Sequence, residues 1–76
     1  MNKDRRKELA RAQALIDEAQ NIILAVTSDE QDAFDSMPES LQNGPKGEAL
    51  QEKLDKLEEL NDACIDMRDG IEEVAS

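Results

Sequence analysis

The sequence predicts an all-α fold, a long antiparallel helical hairpin with a short helical elbow, on three observations. Apolar side chains recur in alternating steps of three and four along both halves of the chain, the period of a helix face. Helix breakers cluster between Met37 and Gly47, a stretch that holds Pro38, Asn43, Gly44, Pro45 and Gly47. Finally, 76 residues with Phe34 as the only aromatic cannot wrap a core of the usual kind. Two thin helices then need further apolar cover, and a homo-oligomer is expected, a dimer closing a four-helix bundle being favoured. Residues 1–76 form a single domain: helix 1 over about 3–36, elbow 37–47 and helix 2 over about 48–75.

In the first helix the seam reads Leu9, Ala12, Ile16, Ala19, Ile23, Val26, Ala33 and Met37, with Glu30 in the one place an apolar residue is missing. Leu15 and Ile22 widen it into a broad stripe, which suggests packing against more than one neighbour. A new helix could start at Thr27–Gln31, where Ser28 can cap and Gln31 can complete a capping box; the seam keeps register across it, which favours one continuous helix. In the elbow, Pro38 suits the first turn of a short helix through about Leu41, and Asn43-Gly44 can supply a left-handed stop. Phe34, Met37 and Leu41 are expected to close that end as a small apolar cluster, the alternative being a protruding contact point.

The second helix carries Leu50, Leu57, Leu60, Cys64, Met67, Ile71 and Val74 in the same rhythm, with Lys53 interrupting and Leu54 compensating beside it. Leu9, Ile16, Ile23, Val26, Leu57, Leu60, Cys64, Met67 and Ile71 are therefore the expected oligomer core. The small residues Ala49, Ala63 and Gly70 flank this seam and permit close approach of another helix. Gly70 also weakens the helix by about 1 kcal/mol relative to alanine, so fraying after Asp69 is a further expectation.

The composition narrows the function. With no histidine, tyrosine or tryptophan and a lone cysteine, the chain lacks a histidine base, the usual zinc ligands and a disulfide framework, and it is not expected to be an enzyme or to carry a cofactor. Cys64 on the seam reads as a small buried hydrophobe, and its being unpaired points to a reducing, cytoplasmic setting. The acids follow no calcium-loop pattern, and Glu30 is the only one on a seam, so no metal site is expected. No apolar run is long enough for a membrane span. Nineteen acids against nine bases give a net charge of −10, which disfavours direct contact with nucleic acid or anionic lipid and suits a basic partner.

Two charge patterns are candidate sites. Glu48, Glu52, Asp55, Glu59, Asp62, Asp66, Asp69 and Glu73 advance by alternating steps of four and three, a row of carboxylates on the solvent side of the second helix with no cation in it. Ordinary solubility is the leading account of exposed acids, but like charges at i, i+4 cost the helix a few tenths of a kcal/mol per pair, which leaves room for a compensating use. With Glu58 and Glu72, two such helices would carry about one charge per 2 Å, near the ~1.7 Å spacing of duplex DNA, and a nucleic-acid mimic is one reading. The second pattern is Arg5, Arg6, Lys7 and Arg11, which with Lys3 make the first eleven residues basic. They are expected to bridge to Asp66, Asp69, Glu72 and Glu73 across the hairpin; the alternative is a phosphate-binding site built by symmetry-related arginines, without a glycine-rich cradle or a stacking aromatic.

The stretch Ala33-Phe34-Asp35-Ser36-Met37-Pro38-Glu39-Ser40-Leu41-Gln42, followed by Gly47-Glu48 and preceded by Arg5-Arg6-Lys7-x-Leu9, resembles a group of small uncharacterised phage- and prophage-encoded helical proteins. The resemblance implies a non-enzymatic accessory protein acting in the host bacterium's cytoplasm, in a class whose members modulate host proteins or counter host defences. The leading expectation is thus a dimeric helical module that binds the basic surface of a host protein through its acidic faces. The alternatives are an oligomeric sponge for a phosphorylated signal molecule and a structural assembly adaptor.

Overall fold

The computed structural model describes residues 1–76, and they form three helices in order: α1 (Lys3–Asp35), α2 (Glu39–Gln42) and α3 (Pro45–Ala75). α1 and α3 pack side by side as an antiparallel hairpin, with α2 as the elbow. The molecule measures 58 × 15 × 12 Å, so it is a single layer about one helix thick. Its radius of gyration is 17.2 Å, against about 11 Å for a compact chain of this length.

Local chemistry explains the helix ends. Asn2 caps α1, its side-chain oxygen accepting from the Arg5 backbone N–H at 2.9 Å. α1 then runs unbroken through Thr27–Gln31: the Thr27 hydroxyl donates to the Ile23 carbonyl, and Gln31 donates to Asp35 rather than closing a capping box. Pro38 is the cap of α2 rather than its first residue, and its carbonyl accepts from the N–H groups of Leu41 and Gln42.

The elbow departs from expectation at its second half. Asn43 stays in the right-handed region and no residue has a positive φ, so there is no left-handed stop. An extended Gly44 places Pro45 in the first turn of the next helix, where its missing N–H costs nothing. As a result α3 starts at Pro45, three residues earlier than the expected 48, and it continues through Gly70 to Ala75 without fraying. Gln42 ties the elbow down by donating to the Phe34 carbonyl at 2.9 Å. Phe34 and Met37 are half-buried here, while Leu41 is left exposed.

The helices are rotated from the expected seam. Leu9, Gln13, Ile16, Gln20, Ile23, Thr27, Glu30 and Phe34 of α1 meet Gly47, Leu50, Leu54, Leu57, Asn61, Cys64, Arg68 and Ile71 of α3, all of them buried or half-buried. About half of each predicted seam survives: Leu9, Ile16 and Ile23 in α1, and Leu50, Leu57, Cys64 and Ile71 in α3. The other half turns outward by about 50°, leaving Val26, Leu60 and Met67 exposed. Leu54 takes the place that Lys53 could not fill, and the polar positions between the apolar ones pair across the seam. Gln20 donates to Asn61 at 2.9 Å, and the Gln13 side chain donates to the Arg68 carbonyl at 3.2 Å. Arg68 in turn donates to Asp17 at 2.7 Å and to Gln20 at 3.3 Å.

Leu54 is the single buried large apolar residue, at 6% exposure. Leu54→Ala should cost about 2–3 kcal/mol, read as a lowered urea midpoint at fixed protein concentration. The same truncation at exposed Leu24 should cost well under about 1 kcal/mol.

Candidate functional site

The rotation sorts the surface of the hairpin into two unlike sides. Glu52, Glu59, Asp66 and Glu73 lie directly opposite the α1–α3 seam, and Glu48, Asp55, Asp62 and Asp69 lie next to them, toward one broad side of the hairpin. All eight are exposed. Glu58 and Glu72 extend the row across that same side, toward Asp17 of α1. Within the ridge a single ion pair forms, Lys56 to Glu59 at 3.2 Å, between two largely solvated side chains and so of little energetic weight. No three acidic or cysteine side chains converge closely enough to hold a metal ion, so the ridge acts as an extended negative field.

Arg68 is the one cation drawn into the seam. Its pKa is raised above the ordinary guanidinium value, first by its hydrogen bond to Asp17 and then by that carboxylate's charge, so it remains charged at every physiological pH. Gln13, Asp17, Gln20, Asn61 and Arg68 form a polar ladder that sequence reading did not single out as part of the packing. Its sequence signal is the seven-residue spacing of Gln13 and Gln20 on one helix and of Asn61 and Arg68 on the other. Such a ladder fixes the register of two helices whose apolar contacts alone would permit sliding.

The N-terminal cations do not bridge to the end of α3 as expected. The ladder sets Gln20 level with Asn61 and Gln13 level with Arg68, which puts Arg5, Arg6 and Lys7 level with Ser76, Ala75 and Val74, while Asp66 and Glu73 face directly away from the seam. Arg11 pairs instead with Glu8 of its own helix, at 3.9 Å. Nor do Arg5, Arg6, Lys7 and Arg11 share a face: their spacing fans them around the first turns of α1, and all four are exposed. The groove at this end is lined by Met1, Asn2, Asp4, Arg5, Glu8, Leu9 and Val74. One arginine beside two carboxylates and an apolar floor is poorly suited to a phosphate.

The opposite broad side of the hairpin is apolar. Leu15, Ile22 and Val26 from α1 and Leu60, Met67 and Val74 from α3 are each 42–61% exposed. One groove on this side, lined by Val26, Glu30, Lys53, Lys56, Leu57 and Leu60, joins the two helices' contributions. The groove on the polar side is lined instead by Leu24, Gln31, Gln51, Asp55 and Glu58 around the seam residues. No helix is long and apolar enough to cross a membrane. Searches of protein-family models, curated proteins and solved structures return no match for the chain.

Proposed function

We propose that this protein is a non-enzymatic interaction module of the phage accessory type, a homodimer that binds the basic surface of a host protein through its acidic faces in the bacterial cytoplasm. The observation that carries this reading is the state of the ridge: eight carboxylates along one helix, all exposed, with one weak ion pair among them. Keeping so many like charges unneutralised costs helix stability, and a cationic surface is the ligand that would recover it. A ridge of this charge density suits competition with nucleic acid for a host enzyme's basic groove, hence a counter-defence or inhibitory role. The phosphate-sponge alternative loses support, because its four cations diverge and the groove beside them holds more acid than base.

The test is affinity capture from bacterial lysate with the wild-type chain and with a variant in which Asp55, Glu59, Asp62 and Asp66 are all replaced by lysine. A basic protein should be retained by the wild type, and be lost both with the variant and at about 0.5 M salt. A co-purifying nucleotide that survives ridge reversal would reject the reading in favour of the arginine cluster.

A further inference from the structure

We infer that the apolar broad side formed by Leu15, Ile22, Val26, Leu60, Met67 and Val74 is the surface on which a second copy of this chain docks. The inference rests on the dimeric reading above and assigns it a face.

Three observations select this face and this occupant. The first is area. The hairpin exposes 5683 Å², whereas a compact monomer of 8.5 kDa would expose about 4,700 Å². The excess of roughly 1,000 Å² matches the ~800 Å² that each partner gives to a standard interface. With Leu54 and Gly47 as the only buried residues, the cover has to be present whenever the chain is folded, and a second copy meets that condition.

The second observation is charge. The α3 share of this face contains none of that helix's acids, and the α1 share holds Glu8 at one end and Asp29 with the half-buried Glu30 at the other, the last two against Lys53 and Lys56. Two chains of net charge −10 can therefore meet here with their ridges turned away from one another; on the polar side carboxylates would oppose carboxylates. A basic foreign partner would be drawn to the ridges instead.

The third is layering. The register set by Gln20–Asn61 places Leu15 level with Met67 and Ile22 level with Leu60, and between those two layers Ala19 lies level with Ala63. Large and small layers thus alternate along the face, the pattern by which stacked helix pairs interdigitate. Asp29 and Lys53, two of its charged members, also lie level with one another, so a second copy can pair them across the interface.

Sedimentation equilibrium of the full chain at micromolar concentration tests the assignment. The wild type should sediment at about twice the 8.5 kDa chain mass. Ile22→Asp and Met67→Asp should return it to the single-chain mass, while Leu24→Asp, at an exposed apolar position on the polar side, should leave the dimer intact. Because an aspartate can also damage the helix, Met67→Ala serves as the milder variant: it keeps helix propensity and should weaken dimerisation at least about tenfold, against less than about twofold for Leu24→Ala. A wild-type dimer that tolerates both Met67 variants, or that Leu24→Asp dissociates, overturns the face while leaving dimerisation standing. A helical wild-type monomer overturns both, and a mass above the dimer rejects the closed two-copy arrangement.

Discussion

Gly47→Ala should destabilise the protein by about 2–3 kcal/mol, although alanine is ordinarily the better helix former by about 1 kcal/mol. The cause is space, since the φ of Gly47 is not positive. A Cβ at this position would stand 2.0 Å from the Gln42 carbonyl oxygen, 2.4 Å from its carbon and 2.6 Å from its Cα. All three are backbone atoms, so no side-chain rotation relieves the overlap, and α2 must move away from α3. Moving it breaks the Gln42–Phe34 hydrogen bond that holds the elbow against the end of α1. Gly44→Ala is the matched control: its Cβ would sit 3.6 Å from the Leu41 and Ser40 carbonyl oxygens, an ordinary contact. That variant should unfold within about 0.5 kcal/mol of wild type, and urea denaturation of both at one protein concentration checks the contrast. Equal stabilities for Gly47→Ala and Gly44→Ala would show that the elbow is looser than described.

The position of the elbow is a local matter, and it was legible in the sequence: Pro38 and Gly44 stand between helices, although Pro45 and Gly47, read as part of the break, belong to α3. The rotation of the helices was not. Gln13, Gln20, Asn61 and Arg68 read as surface residues one helix at a time, and they enter the seam only because each satisfies a group on the other helix. Val26, Leu60 and Met67, read on the same stripe as Ile23, Leu57 and Cys64 and expected in an oligomer core, line the hairpin's exposed apolar side. The breadth of the stripe, with Leu15 and Ile22 outside a single seam, already signalled a second neighbour. The position of the acidic ridge was legible from its spacing. The failure of the N-terminal arginines to pair with it was not, because that depends on which way each helix faces once the polar ladder lies in the seam.

Replacing Asp55, Glu59, Asp62 and Asp66 by lysine should leave the fold within about 0.5 kcal/mol of wild type. All four are exposed and lie away from the seam, and the new cations would gain Glu52, Glu58 and Asp69 as neighbours at helical spacing. Binding should change far more. Each replacement shifts the charge by two, so the four together take the chain from −10 to −2 and cut the ridge in half. Association with the captured basic protein should slow about 10- to 100-fold, because the field that steers the encounter is removed, and the salt dependence seen with wild type should flatten.

The decisive measurement is the association rate of that captured protein with three forms of the chain at low and high salt: wild type, the ridge-reversed variant, and a variant with Arg5, Arg6 and Arg11 replaced by glutamate. The account predicts fast, salt-sensitive association for wild type and for the arginine variant alike, and slow, salt-insensitive association for the ridge variant. Fast association that survives ridge reversal and disappears with the three arginines would contradict it.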